Sequence, residues 1–162
     1  MNQRVSVLFV CMGNICRSPT AHAVFRKLVN EQGLADLIRI DSAGTHAYHV
    51  GNLPDERSML TARQRGIEMA DLRARKVEFS DLIEFDYVLA MDADNYANLV
   101  AIAPQDLKAK IEFFLQYAPQ LKTQNVPDPY YGGAEGFEQV FDLVHAASLG
   151  LLADIRKRYL LD

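Results

Sequence analysis

The sequence predicts an α/β domain in which a parallel sheet is covered by helices on both faces. Three observations lead there. Short runs of apolar residues alternate along the chain with segments whose apolar residues recur at helical spacing, the pattern of successive βαβ units. The first such run passes through a short loop directly into a helix start, the usual turn at the carboxyl end of a parallel strand. The 162 residues, 49% hydrophobic and 23% charged, suit one globular domain spanning 1–162 with a real core.

The elements follow in order. Residues 5–10 are the first strand. Ser18 as N-cap and Pro19 at the first helical position open a helix over 19–32, with Ala21, Ala23, Val24, Leu28 and Val29 at its apolar spacing and Gly33 at its end. Residues 37–43 are the second strand, and 44–54 a turn-rich loop bearing His46, Tyr48 and His49. Pro54 opens a second helix through Arg65, closed by Gly66, and Arg63, Arg65, Arg73 and Arg75 read as a basic patch. Residues 80–83 suggest a helical turn, 87–91 a buried third strand, and Asp92 an N-cap for a helix over 93–102. Residues 109–114 are the last strand and 119–136 a polar loop holding Asp128-Pro129-Tyr130-Tyr131. Residues 137–160 finish the chain as one or two helices, with a break expected near Gly150.

The chemistry concentrates in Val7-Leu8-Phe9-Val10-Cys11-Met12-Gly13-Asn14-Ile15-Cys16-Arg17-Ser18-Pro19. Gly13 can adopt positive φ and Asn14 tolerates it, so the loop can turn backbone N–H groups inward as an anion nest. The helix behind it adds free N–H groups and the positive end of its dipole. Arg17 supplies a planar cationic fork for two phosphoryl oxygens. Cys11 then sits in an electropositive cup that favours its thiolate, with the Ser18 hydroxyl as a hydrogen-bond donor to sulfur. A thiolate beneath a phosphoryl group is a nucleophile for covalent phosphoryl transfer. Cys-x5-Arg alone is a weak signal; the preceding strand, the internal Gly and the Ser-Pro helix start give it weight. No Gly-Lys-Ser/Thr follows, so it is not a Walker loop.

Cys11-Met12-Gly13-Asn14-Ile15-Cys16-Arg17-Ser18-Pro19 resembles the signature of the low-molecular-weight protein tyrosine phosphatases. The similarity continues through Asp41-Ser42-Ala43-Gly44-Thr45, Phe85-Asp86-Tyr87-Val88-Leu89-Ala90-Met91-Asp92 and Asp128-Pro129-Tyr130-Tyr131-Gly132, spanning nearly the whole chain in the family's order. The resemblance implies a three-layer, doubly wound, four-stranded parallel sheet. It also implies hydrolysis of phosphotyrosine in proteins through a phosphocysteine. In that reading Cys11 is the nucleophile, and Arg17 holds the phosphoryl group with the loop residues Met12, Gly13, Asn14, Ile15, Cys16 and Ser18. No cofactor or metal is required, and inorganic phosphate is both product and inhibitor.

Asp128 shows how far residues alone go. Asp-Pro is ordinarily a turn, yet the resemblance makes Asp128 the general acid, then the base that activates water. It further implies that Tyr130 flanks the substrate ring, that the residues at Tyr130 and Tyr131 can themselves be phosphorylated in the family, and that Tyr48 forms the opposite wall, with Met12 and His49 completing the rim. The resemblance implies too that Asn14 and Ser42 support the loop, and that Cys16 can form a reversible disulfide with Cys11 that shields it from irreversible oxidation. Leu72 departs from the pattern, standing where relatives often carry a His of the supporting network.

Other readings are weaker. Cys11-x4-Cys16 with His46-x2-His49 is a rival zinc set, disfavoured by the short His spacing and by Arg17 beside it. His22 and His145 fit helical positions and call for no functional role. Arsenate reduction needs relay cysteines, and none follows Cys16. A phosphotyrosine-binding module without turnover needs neither Cys11 nor Asp128. Phosphoarginine enzymes, by the same resemblance, carry Thr where this loop has Ile15. A net charge of −4 disfavours nucleic acid as the main partner. Two cysteines make no disulfide framework, and no apolar run reaches transmembrane length or forms a signal segment. The expectation is a cytoplasmic monomer that does not engage membranes.

Overall fold

The structure is a computed structural model and describes residues 4–161, so 1–3 and 162 of the expected domain lie outside the described residues. Strands β1 (Val5–Cys11), β2 (Ile38–Gly44), β3 (Tyr87–Ala90) and β4 (Ile111–Phe113) form one sheet in the order β2-β1-β3-β4. Every pairing is parallel. Helices α1 (Arg17–Glu31), α2 (Glu56–Gln64), α3 (Phe79–Glu84), α4 (Ala93–Ile102) and α5 (Ala134–Tyr159) cover it. The doubly wound, three-layer architecture expected from the sequence is present.

Side chains of a strand alternate between faces, and β1 is buried along its whole length. Val5, Val7, Phe9 and Cys11 therefore enter the core shared with α1 and α5, whereas Leu8 and Val10 enter the one with α3 and α4. Register keeps partners on the same face: Val7 lies opposite Tyr87, and Leu8 opposite Val88. Phe9 anchors the larger core, edge-on to Phe25 at 5.8 Å and to Phe114 at 5.0 Å between centroids. Register also levels the strand ends. Cys11 pairs with Gly44, Val10 pairs with Ala90, and Met91 N–H donates to Val10 O at 3.0 Å. Residues that leave β1, β2 and β3 thus emerge on one edge, where parallel sheets bind ligands.

Several expectations are corrected. Helix α1 begins at Arg17, with Cys16 rather than Ser18 in the N-cap position. Pro19 falls one turn in, still among the positions whose N–H has no intrahelical acceptor. Helix α2 is capped by Asp55, whose carboxylate accepts from Arg57 N–H at 2.8 Å. The last strand is shorter than 109–114 because Gln105–Lys110 forms a 3-10 helix. The arginines read as a basic patch are dispersed. Arg63 pairs with Glu68, Arg65 with Glu138 and Asp142, and Arg75 with Asp41 and Asp81, while Arg73 caps the carbonyls of Ala70 and Leu72.

Helix α5 runs unbroken through Gly150. The glycine serves packing: a Cβ there would lie 2.9 Å from the Tyr117 carbonyl carbon and clash with its oxygen. The 3-10 turn Phe114–Tyr117 thereby presses directly on the helix backbone. Gly150→Ala should lower unfolding free energy by about 3 kcal/mol or more, as backbone must shift to admit a methyl group. Leu149→Ala, one residue earlier at a half-exposed position, should cost under about 1 kcal/mol. Urea denaturation of both variants checks the contrast.

Candidate active site

The loop from Cys11 to Cys16 connects β1 to α1 and curls back over its own strand end. Asn14 is its left-handed residue, with φ 59°. Gly13 does not share that conformation; a Cβ on it would press on His49 Cδ2 at 3.0 Å. Gly44 is needed below the loop, where a Cβ would sit 2.7 Å from Met12 O. The loop is stitched to its surroundings by Thr45 N–H to Cys11 O at 2.9 Å, His46 N–H to Met12 O at 3.0 Å and Asp55 N–H to Ile15 O at 2.8 Å. Among the described residues, the N–H groups of Gly13, Ile15, Cys16 and Arg17 find no acceptor in the protein. Free amides at a helix start are the donors an anion recruits.

Cys11 Sγ lies at the floor of this loop. Asn14 N–H donates to it at 3.3 Å, and Ser18 Oγ is 3.0 Å away. Asn14 Nδ2 donates to Ser18 Oγ at 2.7 Å, so the one Ser18 proton is shared between the sulfur at 3.0 Å and the Ala43 carbonyl at 3.4 Å. Asn14 Oδ1 in turn accepts from Arg75 N–H at 3.0 Å. Asn14 and Ser18 are buried behind the cup rather than lining it.

Arg17 is 2% exposed. Burial opposes its charge, yet the Cys11 sulfur and the carboxylates of Asp92 and Asp128 outweigh that and hold its pKa above the ordinary value. Its Nη1 donates to Asp92 Oδ2 at 2.6 Å and to Val126 O at 3.0 Å, and Nη2 lies 3.8 Å from Asp128 Oδ2. Asp92 is the helix cap expected from sequence, accepting from Asn95 N–H at 2.8 Å, but its other oxygen fixes Arg17. Cys16 is different from Cys11. Burial first, then the negative charges of Asp55 and Cys11, push its thiol up to about 12.

Cup and rim enclose about 250 Å³. Cys11, Met12, Gly13, Ile15, Cys16 and Arg17 form the floor, and Tyr48, His49, Tyr130 and Tyr131 the rim. Asp128 faces the floor from the opposite side, 117 residues along the chain but brought within reach of Arg17. Its loop is tied at both ends. Val126 N–H donates to Met91 O at 2.8 Å, and Arg57 Nη2 donates to Tyr130 O at 2.9 Å. Arg57 also pairs with Asp55 and lies over the rings of Tyr130 and Phe137. A continuous strut therefore runs from Ile15 O through Asp55 and Arg57 to Tyr130.

A family model, low molecular weight phosphotyrosine protein phosphatase, matches residues 6–160. The chain belongs to this family. The protein of that name from Schizosaccharomyces pombe is 49% identical over 138 residues, 85% of this chain and 88% of its own. The low molecular weight protein-tyrosine-phosphatase YfkJ of Bacillus subtilis is 44% identical over 153 residues, 94% of this chain and 97% of its own. A crystal structure of protein tyrosine phosphatase from Entamoeba histolytica superposes with TM-score 0.92 at 41% identity, over 96% of this chain and 99% of that one.

The contacts behind the phosphatase-family cup differ in part from expectation. Ser42, expected to support the loop, shows no side-chain hydrogen bond to it among the described residues; its Oγ meets His22 Nδ1 at 3.1 Å, and its backbone N–H donates to Asp41 Oδ1 at 2.8 Å. Leu72 packs in the core near α1 and has no polar role, so the histidine on Ser42 comes from α1 instead. Arg75, clamped by Asp81 and Asp41, carries the N–H that fixes Asn14. Nothing local in the sequence marks these contacts; the Asp55-x-Arg57 spacing at a helix start was the one visible hint. No group of three or more His, Cys, Asp or Glu among the described residues is placed to hold a metal ion. His46 bonds Thr45 Oγ1 through Nδ1 and stacks on Tyr48.

His22 supplies a pH test. Burial lowers its pKa from 6.5 to about 4, against the smaller opposing pull of Asp41. Between those values the unfolded chain binds a proton that the native chain refuses, so stability falls as pH drops from about 6.5 toward 4. The loss attributable to this residue should reach roughly 3 kcal/mol. His22→Gln, which keeps a hydrogen-bonding side chain, should lack that component in urea titrations across the same range.

Proposed function

We propose that this chain hydrolyses phosphotyrosine in proteins through a phosphocysteine intermediate. One observation carries the reading: a sulfur that accepts from the Asn14 N–H and lies 3.0 Å from the Ser18 hydroxyl sits below unpaired loop amides and a buried guanidinium, facing a carboxylate across the cavity. The free amides of Gly13, Ile15, Cys16 and Arg17 and the Arg17 fork match the oxygens of a phosphoryl group. The sulfur attacks phosphorus as the ester P–O bond breaks, and protonated Asp128 gives its proton to the departing phenolic oxygen. Asp128, now a carboxylate, takes a proton from water. That water attacks phosphorus, the P–S bond breaks, and inorganic phosphate leaves a restored thiolate.

The rim supports an aryl substrate. His49 and Tyr130 stand 6.1 Å apart between ring centroids, with Tyr48 beyond and Ile15 and Met12 adding apolar wall. A phenyl ring buries area there that a short serine ester cannot. Asp128 has a side chain 35% exposed, so the water of the second step can reach its carboxylate.

Cys11→Ser should abolish steady-state turnover of p-nitrophenyl phosphate while leaving phosphate binding measurable. Asp128→Asn should lower kcat by about 10²–10⁴-fold on phosphotyrosine, less on p-nitrophenyl phosphate with its better leaving group, and remove the pH limb that belongs to the acid. Undiminished hydrolysis by Cys11→Ser would sink the mechanism. Arg57→Met severs the strut without touching the cup; kcat should fall roughly ten- to a hundredfold because small misplacements of a reacting group are costly. Its phosphate inhibition constant should change little, and its calorimetric unfolding midpoint should stay close to that of wild type, since exposed ion pairs add little to stability.

A further inference from the structure

A groove of about 400 Å³ opens beside the carboxyl end of β2, outside the catalytic cup. Phe79 in the first turn of α3 and Ile102 at the end of α4 face into it. Residues 76 and 77 run along the end of β2, where Val77 N–H donates to Gly44 O at 2.8 Å, and both line the groove.

The groove and the cup share a wall. Thr45 and His46 line the groove, and both are bonded to the catalytic loop. Thr45 N–H donates to Cys11 O at 2.9 Å, and His46 N–H donates to Met12 O at 3.0 Å. The His46 ring stacks on Tyr48 of the rim with centroids 5.3 Å apart. Whatever crosses the rim at Tyr48 therefore meets His46 and then the groove.

The lining states what fits. Phe79 is 53% exposed and Ile102 47%, and Val77 adds apolar surface beside them. Large apolar side chains scattered singly on a surface are ordinary, but two that converge on one cavity mark a contact site. Lys76 is exposed and lines the same cavity. Among the described residues no carboxylate lines the groove, and the carboxylates of Asp41 and Asp81 are taken by Arg75 next along the chain. One unpaired cation among apolar walls complements an apolar side chain with an acid beside it.

We propose that this groove docks the polypeptide flanking the substrate's phosphotyrosine, taking an apolar side chain against Phe79 and Ile102 and an adjacent carboxylate on Lys76. The proposal rests on the phosphotyrosine reading above and deepens it into a preference for flanking sequence. With phosphotyrosine in the cup, the chain on either side of it leaves over the rim, and four extended residues span roughly 13 Å.

Three phosphotyrosine peptides of equal length test it. One carries a Leu-Glu pair within the four residues before phosphotyrosine, one carries it within the four residues after, and one has Gly-Ser in both places. kcat/KM for each is divided by the same protein's value on p-nitrophenyl phosphate, so changes common to all substrates cancel. Wild type should favour one of the two Leu-Glu peptides over the Gly-Ser peptide by about five- to tenfold, the scale of a partly buried apolar side chain with a screened ion pair. Phe79→Ser and Ile102→Ser should bring that ratio close to one. Lys76→Glu, at an exposed position, should make the protein prefer Leu-Lys to Leu-Glu in the same place. In the Cys11→Ser protein, the methyl resonances of Ile102 should move with the favoured peptide and not with the Gly-Ser peptide. Equal ratios in wild type, or a preference that all three groove variants retain, would overturn the groove and leave the phosphatase reading intact. A dimer in sedimentation that Phe79→Ser breaks, with no peptide preference, would also overturn it and give the groove to a second copy of the chain. Failure of wild type to hydrolyse the peptides and p-nitrophenyl phosphate would strike the underlying reading instead.

Discussion

The burial of one positive charge organises this molecule. Arg17 is sealed at the start of α1, where an unpaired guanidinium would be untenable. Three groups from two chain segments meet to satisfy it: Asp92 just after β3, and Val126 and Asp128 from the loop before α5. Each contact that neutralises the charge also places a working part. The ion pair locks α4 to the cup, the Val126 carbonyl seats the loop, and Asp128 stands off at 3.8 Å, facing the cavity.

The parallel sheet makes this meeting possible. Level strand ends bring Cys11, Gly44 and Met91 to one edge. A flat edge by itself offers only backbone; the loop after β1 turns it into a concave donor surface, because Asn14 takes the left-handed conformation and is held by Ser18 and Arg75. The cup is rigid through contacts behind it, so its front face keeps amides unspent for a ligand.

What the sequence disclosed divides by distance along the chain. The strand, the loop and the helix start are local, and Cys11 and Arg17 were legible because six residues of spacing carry their relation. The β-strands and the amphipathic helices were legible from apolar patterning, with errors at ends where capping decides. Gly150 shows propensity yielding to packing: a residue expected to break α5 is the one that lets α5 touch Tyr117. Asp128 looked like an ordinary turn residue until family resemblance placed it. The Asp55–Arg57–Tyr130 strut, the Arg75 support of Asn14 and the His22–Ser42 pair join positions far apart in sequence, and no periodicity encodes such partnerships. The arginines of the supposed basic patch failed for the same reason, since their acidic partners lie on other elements.

The two sulfurs of the loop were given opposite chemical characters. Cys16 is kept a neutral thiol across the physiological range by burial and by the negative groups around it. Cys11, five residues earlier, accepts from the Asn14 N–H, has the Ser18 hydroxyl beside it and lines the open cavity. An electrophile small enough to enter therefore meets Cys11 together with a Cys16 held protonated. In practice the folded chain should take up a single alkyl group under conditions in which the unfolded chain takes up two, so the mass of the adduct counts folded molecules.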